Sequence, residues 1–141
     1  QKQGIWRPQG DVSSVIPSWF RQGHRLVLLT GEHSLGARAK LEVLGIWHCF
    51  ATGGFGEDAR DRLGIARSAL RRAVDLWGEG ATGDVLVIGD TLLDIQTARE
   101  LGATAVALNS GTQTSERLLQ AQPDLLANCF SEIDDWLTRR R

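Results

Sequence analysis

Apolar positions along this chain alternate between two kinds of pattern. Residues 25–30 (RLVLLT), 85–88 (VLVI) and 103–108 (ATAVAL) are short continuous apolar runs, which suit strands covered on both faces. Between them the apolar residues recur at helical spacing. Val12, Val15, Ile16, Trp19 and Phe20 predict a helix over 11–22, opened by Asp11 and closed by Gly23, with Pro17 inside it. Leu35, Ala39, Leu41, Val43 and Leu44 predict a second helix that ends at Gly45. The longest pattern, over 57–77, puts Leu63, Ala66, Leu70, Ala73, Val74 and Trp77 on one face. Further helices are expected from Asp94 to about Leu101, over 114–120 and near 131–137, with brief strands near 48–52 and after Pro123-Asp124. Strand and helix alternate nearly throughout, so the class is α/β with a mostly parallel sheet. Residues 1–10 (QKQGIWRPQG) read as an entry loop, and 11–141 as one domain.

Composition narrows the function classes. A chain of 141 residues forms one core and buries about two thirds of its unfolded surface. Its 16 basic and 17 acidic residues leave no electrostatic footprint for nucleic acid or an anionic membrane. Cys49 and Cys129 lie in apolar surroundings and read as reduced structural thiols, the pattern of a cytoplasmic protein; no leader or long apolar span is visible. The chain begins with Gln1 and contains no Met, so further sequence upstream is expected.

The candidate chemistry sits in VLVIGDTLLDI. Gly89 lets the backbone turn, Asp90 stands at the carboxyl end of the apolar strand, and Asp94 follows in the first helical turn. Either Asp alone would be read as a cap for free N–H groups. Two carboxylates about 5 Å apart in a half-buried crevice repel by about 3 kcal/mol at an effective dielectric near 20, which a cation would remove. Mg2+ suits such a site, because it binds through one or two carboxylates and keeps several waters. His24, His33 and His48 lack ligand spacing, and turn chemistry accounts for Ser34 and Ser110. Gly53-Gly54-Phe55-Gly56 reads as a flexible loop and is weak as a phosphate cradle. Arg60, Arg67 and Arg71 read as a solvated helix face, and Arg139–Arg141 as a solvated end.

With Thr30-Gly31 after one apolar strand and Gly89-Asp90-Thr91 with Asp94 after another, the chain resembles the haloacid-dehalogenase-like (HAD) hydrolases, and in particular phosphoglycolate-phosphatase-like members. The resemblance implies a three-layer Rossmann-like parallel sheet flanked by helices. It implies that Thr30, with Gly31, binds the phosphoryl group, that Asp90 and Asp94 hold Mg2+, and that the substrate is a small phosphorylated molecule. It also implies a charge-neutralising Arg between these motifs, matched in the FGEDxxxR pattern by Arg62 within GGFGEDARDRLGI, with a shift to Arg60 in the same turn left open.

One departure matters. The family's nucleophile lies in a DxDGT motif at the end of its first strand, and no Asp of this chain stands in a DxD after an apolar strand. The resemblance therefore implies a sheet incomplete at its first strand, between the strands of LVLLT and VLVIG, and little or no turnover by the chain alone. Three repairs are conceivable: the two edges close up, another chain supplies a strand, or the remainder of a longer protein does so. A homodimer or strand-supplying partner ranks ahead of closure. The alternative to an enzyme core is a truncated, non-catalytic module that acts through dimerisation or partner binding.

Overall fold

The computed structural model describes residues 11–111 and 113–140; the expected entry loop, residues 1–10, lies outside them. In chain order the elements are α1 (Val12–Arg21), β1 (Val27–Leu29), α2 (Ser34–Val43), β2 (Thr52–Gly54), α3 (Arg62–Trp77), β3 (Leu86–Gly89), α4 (Leu92–Leu101), β4 (Thr104–Leu108), α5 (Ser115–Gln120), β5 (Leu125–Ala127) and α6 (Phe130–Arg140). All strand pairs are parallel, and the α/β class stands. Pro17 sits within α1 without ending it.

The strands form two sheets. β1 pairs with β2, Leu28 opposite Gly53 and Leu29 opposite Gly54. Separately, β3, β4 and β5 pair in that order, Gly89 opposite Ala107 and Leu108 opposite Ala127. Closure of the β1 and β3 edges, the first of the three repairs, is therefore not what the described residues do. The unpaired edges leave their mark on burial. All of β1 is half-buried, against the strongly buried strand that RLVLLT predicts, whereas Ala105–Leu108 in the central strand β4 are buried.

A shared core holds the two sheets in one body. Ile16, Trp19, Leu41, Ile46, Cys49, Val106, Leu108, Ala127 and Ile133 form one buried cluster, with Leu26 and Leu28 from one sheet and Leu86 and Ile88 from the other packed against it. The opposite face packs Val87, Ala105 and Ala107 against Ile95 and Ala98 of α4 and Leu118 of α5, with Leu29 alongside. Trp19 Nε1 donates to Asp134 Oδ1 at 2.8 Å, docking α1 on α6. Asp11 caps α6 rather than its own helix, accepting from the amides of Phe130 (3.1 Å) and Ser131 (2.8 Å). That long-range cap cannot be read from a local pattern.

Two elements differ from their sequence patterns. Residues 47–49 form a 3-10 turn, and the strand comes later, taking in Gly53 and Gly54, which are buried rather than part of a flexible loop. The reason is steric: a Cβ on Gly54 would lie 2.3 Å from the Ile65 carbonyl oxygen, so α3 packs directly on the β2 backbone. For the same reason the buried stripe of α3 is the small set Ile65, Ala66, Ser68, Ala69 and Ala73, not the larger residues of the predicted face. Helix α3 begins at Arg62 rather than near 57, capped by Asp61, whose carboxylate accepts from the Gly64 amide at 2.8 Å.

Candidate phosphate and metal site

The acidic turn is built locally. Thr91 is the N-cap of α4 and forms a reciprocal capping box: its hydroxyl accepts from the Asp94 amide (3.3 Å), while Asp94 Oδ2 accepts from the Thr91 amide (3.1 Å) and hydroxyl (2.9 Å). Asp94 is thus only 6 % exposed, with its carboxylate tucked under the end of β3. A Cβ on Gly89 would lie 2.2 Å from the Asp94 carboxyl carbon, which is why glycine ends this strand. The two carboxylate oxygens of Asp94 have different partners. Oδ2 caps the helix, and Oδ1 faces Arg62 Nε at 3.6 Å. Asp90 is half-buried, and its Oδ2 accepts from the Ser110 hydroxyl at 2.9 Å.

Of the two candidate arginines, Arg62 is half-buried against Asp94 and Arg60 is exposed. The ion pair sets the first turn of α3, which follows β2, against the first turn of α4, which follows β3. Because β1 runs parallel to β2, Thr30 at the end of β1 lies beside the carboxyl end of β2. Thr30 donates its amide to the Gly54 carbonyl (3.2 Å), and its Oγ1 accepts from the Glu32 amide (3.1 Å). Gly31 is exposed, and a Cβ there would meet nothing within 4 Å, so packing does not require glycine at that position. The structure thus places Arg62 on Asp94, with Thr30 and Gly31 following β1 and Asp90 following β3.

Glu57 and Asp58 of the GGFGEDARDRLGI stretch, with Arg72 outside it, hold the two-stranded side of the site. Arg72 forms a bidentate pair with Asp58 (2.6 and 2.7 Å) and also donates to the Gly53 carbonyl at 2.7 Å. Asp58 in turn accepts from the Phe55 amide at 2.8 Å, so one carboxylate folds the 53–58 segment onto α3. The hydrogen bonds from Arg72 hold the Asp58 carboxyl below its ordinary value and raise the Arg72 guanidinium. Glu57 ties this segment to the loop after β1, accepting from the Ser34 amide at 2.9 Å and from the Ser34 hydroxyl, a bond that lowers its carboxyl. Gly56 donates to the Glu32 carbonyl at 2.8 Å. The sequence marked Glu57 and Asp58 as part of the GGFGEDARDRLGI motif, but carried no signal that Arg72, one of several arginines on the following helix, is the partner of Asp58.

A cavity of about 140 Å³ lined by Leu28, Leu29, Thr30, Glu32, Ala37, Lys40 and Leu41 reaches the Thr30 end of β1. A second, of about 130 Å³, lies at the amino ends of β3 and β4 beside Val85 and Thr104, away from the carboxylates. Among the described residues no group of three acidic, His or Cys side chains gathers around a metal position. Mg2+ needs no more than two carboxylates when waters and a phosphate complete its shell, so Asp90 and Asp94 are the candidate ligands.

A sequence model described as HAD-hydrolase-like matches residues 57–133, which include Arg62, Asp90 and Asp94. The chain belongs to this HAD-like family. Over 112 residues it is 27 % identical to the protein named probable phosphatase IndB of Dickeya dadantii, covering 79 % of this chain and 48 % of that one. It is 28 % identical over 123 residues to a phosphoglycolate phosphatase of Aliivibrio fischeri, covering 87 % of this chain and 53 % of the relative. The fold matches a haloacid dehalogenase-like family hydrolase of Streptococcus pneumoniae with a TM-score of 0.77 at 23 % identity, over 91 % of this chain and 59 % of that one. This HAD-like chain therefore spans about half the length of the curated relatives it matches. No helix among the described residues is long and apolar enough to cross a membrane.

Proposed function

We propose that this HAD-like chain is the phosphate- and metal-binding core of a hydrolase of small phosphomonoesters. The observation that carries this reading is the Arg62–Asp94 ion pair, which sets a guanidinium beside the Asp94 carboxylate in the first turn of the helix after β3. Thr30 and Gly31 grip phosphate oxygens through hydroxyl and amide donors, and Arg62 offsets negative charge as the phosphoryl group transfers. Asp90 and Asp94 hold Mg2+, which when bound neutralises phosphate charge and polarises the phosphoryl oxygens. Arg62 is largely withdrawn from water, so its charge acts through a lower effective dielectric than in solvent. The nucleophile comes from outside this sequence, and the chain alone binds phosphate without turning it over. Its match to about half of each curated relative supports that division. The two free thiols, Cys49 and Cys129, fit a reducing cytoplasmic setting.

The test is phosphate binding, which needs no nucleophile. Calorimetric titration with inorganic phosphate is expected to show Mg2+-dependent binding that Thr30→Ala weakens and Asp90→Asn removes, with no hydrolysis of an aryl phosphate. Mg2+-dependent turnover lost in Asp90→Asn would overturn the assignment of the nucleophile to another segment. Phosphate binding indifferent to Mg2+ and to both substitutions would overturn the site.

The unpaired edges of β1 and β3 support a second reading, a non-catalytic module completed by a second copy or by a strand-supplying partner. Sedimentation equilibrium separates the two. A stable dimer that binds no phosphate favours the module, and a phosphate-binding monomer favours the enzyme core.

A further inference from the structure

We infer that Ser110 is a positioning residue for the metal site, holding the Asp90 carboxylate through its hydroxyl; this rests on the reading of Asp90 and Asp94 as cation ligands. The two carboxylates are oriented by different means. Asp94 is fixed within its own turn by the Thr91 amide and hydroxyl. Asp90 precedes that capping box, and the hydroxyl on its Oδ2 comes from Ser110, 20 residues on and 2.9 Å away.

The segment carrying Ser110 is itself anchored on both sides. The Asn109 amide donates to the Ala127 carbonyl at 2.7 Å, and its side chain donates to Asn128 Oδ1 at 3.2 Å, tying the segment to the end of β5. Gln113 Oε1 accepts from the amide of Leu92, the first residue of α4, tying it to the acidic turn. Because β3 and β4 are adjacent in register up to Gly89 and Ala107, this loop leaves its strand directly beside Asp90. The Ser110 amide already makes the local contact, donating to the Leu108 carbonyl at 3.0 Å. What the hydroxyl adds is a fixed carboxylate plane: an O–H on Oδ2 limits rotation of Asp90 and so lowers the entropy that a cation must otherwise remove on binding. Outer partners of this kind, which touch the ligand and not the metal, change metal affinity by about 10- to 100-fold when removed.

The experiment is a calorimetric titration of the full chain with Mg2+ alone, run on the unmodified protein, Ser110→Ala, Ser110→Thr and Asp90→Asn, each with its thermal unfolding midpoint. Ser110→Ala is expected to weaken Mg2+ binding by about 10-fold or more at an unchanged midpoint. Ser110→Thr, which keeps the hydroxyl, is expected to restore most of that loss, and Asp90→Asn to remove binding. Unchanged affinity in Ser110→Ala, with binding lost in Asp90→Asn, overturns the role of Ser110 and leaves the site standing. Equal binding, or none, by the unmodified and Asp90→Asn chains overturns the site and this inference with it. A loss of affinity that tracks a fallen midpoint in both Ser110 variants overturns positioning in favour of a structural role.

Discussion

Strand β4 buries every residue from Ala105 to Leu108, while β1 keeps all of Val27–Leu29 half-exposed, although both are apolar runs in the sequence. β4 has a neighbour on each edge, whereas β1 has one. The same contrast runs through the candidate site. On the three-stranded side, Gly89, Thr91 and Asp94 form a turn whose contacts span only a few residues. On the two-stranded side, Arg62 and Thr30 owe their placement to contacts between distant segments: Asp58 with Arg72, Glu57 with Ser34, and Gly56 with Glu32. The cap of the acidic turn is thus set by local chemistry, whereas the two-stranded side depends on polar contacts between segments.

The largest expected effect tests the local side. Gly89→Ala forces a methyl into the Asp94 carboxylate and should destabilise the chain by about 3 kcal/mol in chemical denaturation. Gly54→Ala, which meets the Ile65 backbone, is the matching change on the other side. If it is tolerated while Gly89→Ala is not, the two-stranded side is free to shift and the other is not.

The next test concerns the clasp. Arg72→Ala leaves Asp58, whose side chain is 11 % exposed, without its cation, and should cost about 1–2 kcal/mol after allowance for the partial exposure of Arg72. Arg99→Ala breaks the more exposed pair with Asp124 and should cost under about 1 kcal/mol. Equal costs would remove the distinction drawn here. Thr91→Ala, by loss of the α4 cap, should cost about 1 kcal/mol, and Thr91→Ser should recover most of it.

The smallest effect is that of acid. Asp58 is held below its ordinary value of 3.8 by Arg72, and Asp124 by the Ala105 amide. Burial pushes the Asp11 carboxyl up, but hydrogen bonds from Ser131 and Phe130 outweigh it and the net shift is downward. A lowered folded value means stability that is present above the unfolded pKa and lost as pH falls through the folded one. Denaturation midpoints should therefore be level above about pH 5 and fall below about pH 4. Asp58→Asn should flatten part of that fall, and a midpoint unaffected by pH down to about 3 would show that these contacts add nothing.

The α/β class, the element order and the acidic turn were legible in the sequence, because each depends on residues a few positions apart. Alternating apolar blocks set strand against helix, and Gly-Asp-Thr with Asp94 encodes a capping box by itself. The motif pattern favoured Arg62 over Arg60, but its ion pair with Asp94 was not legible, since it depends on the approach of α4 to α3. Nor was the strand character of Gly53 and Gly54, which depends on how closely α3 lies over β2. The division into two sheets, the Asp11 cap on α6, the Arg72 clasp and the hydroxyl of Ser110 on Asp90 were decided by tertiary structure alone. Each joins residues at least 14 positions apart or depends on which strand edges find a partner, and local periodicity carries no information about either.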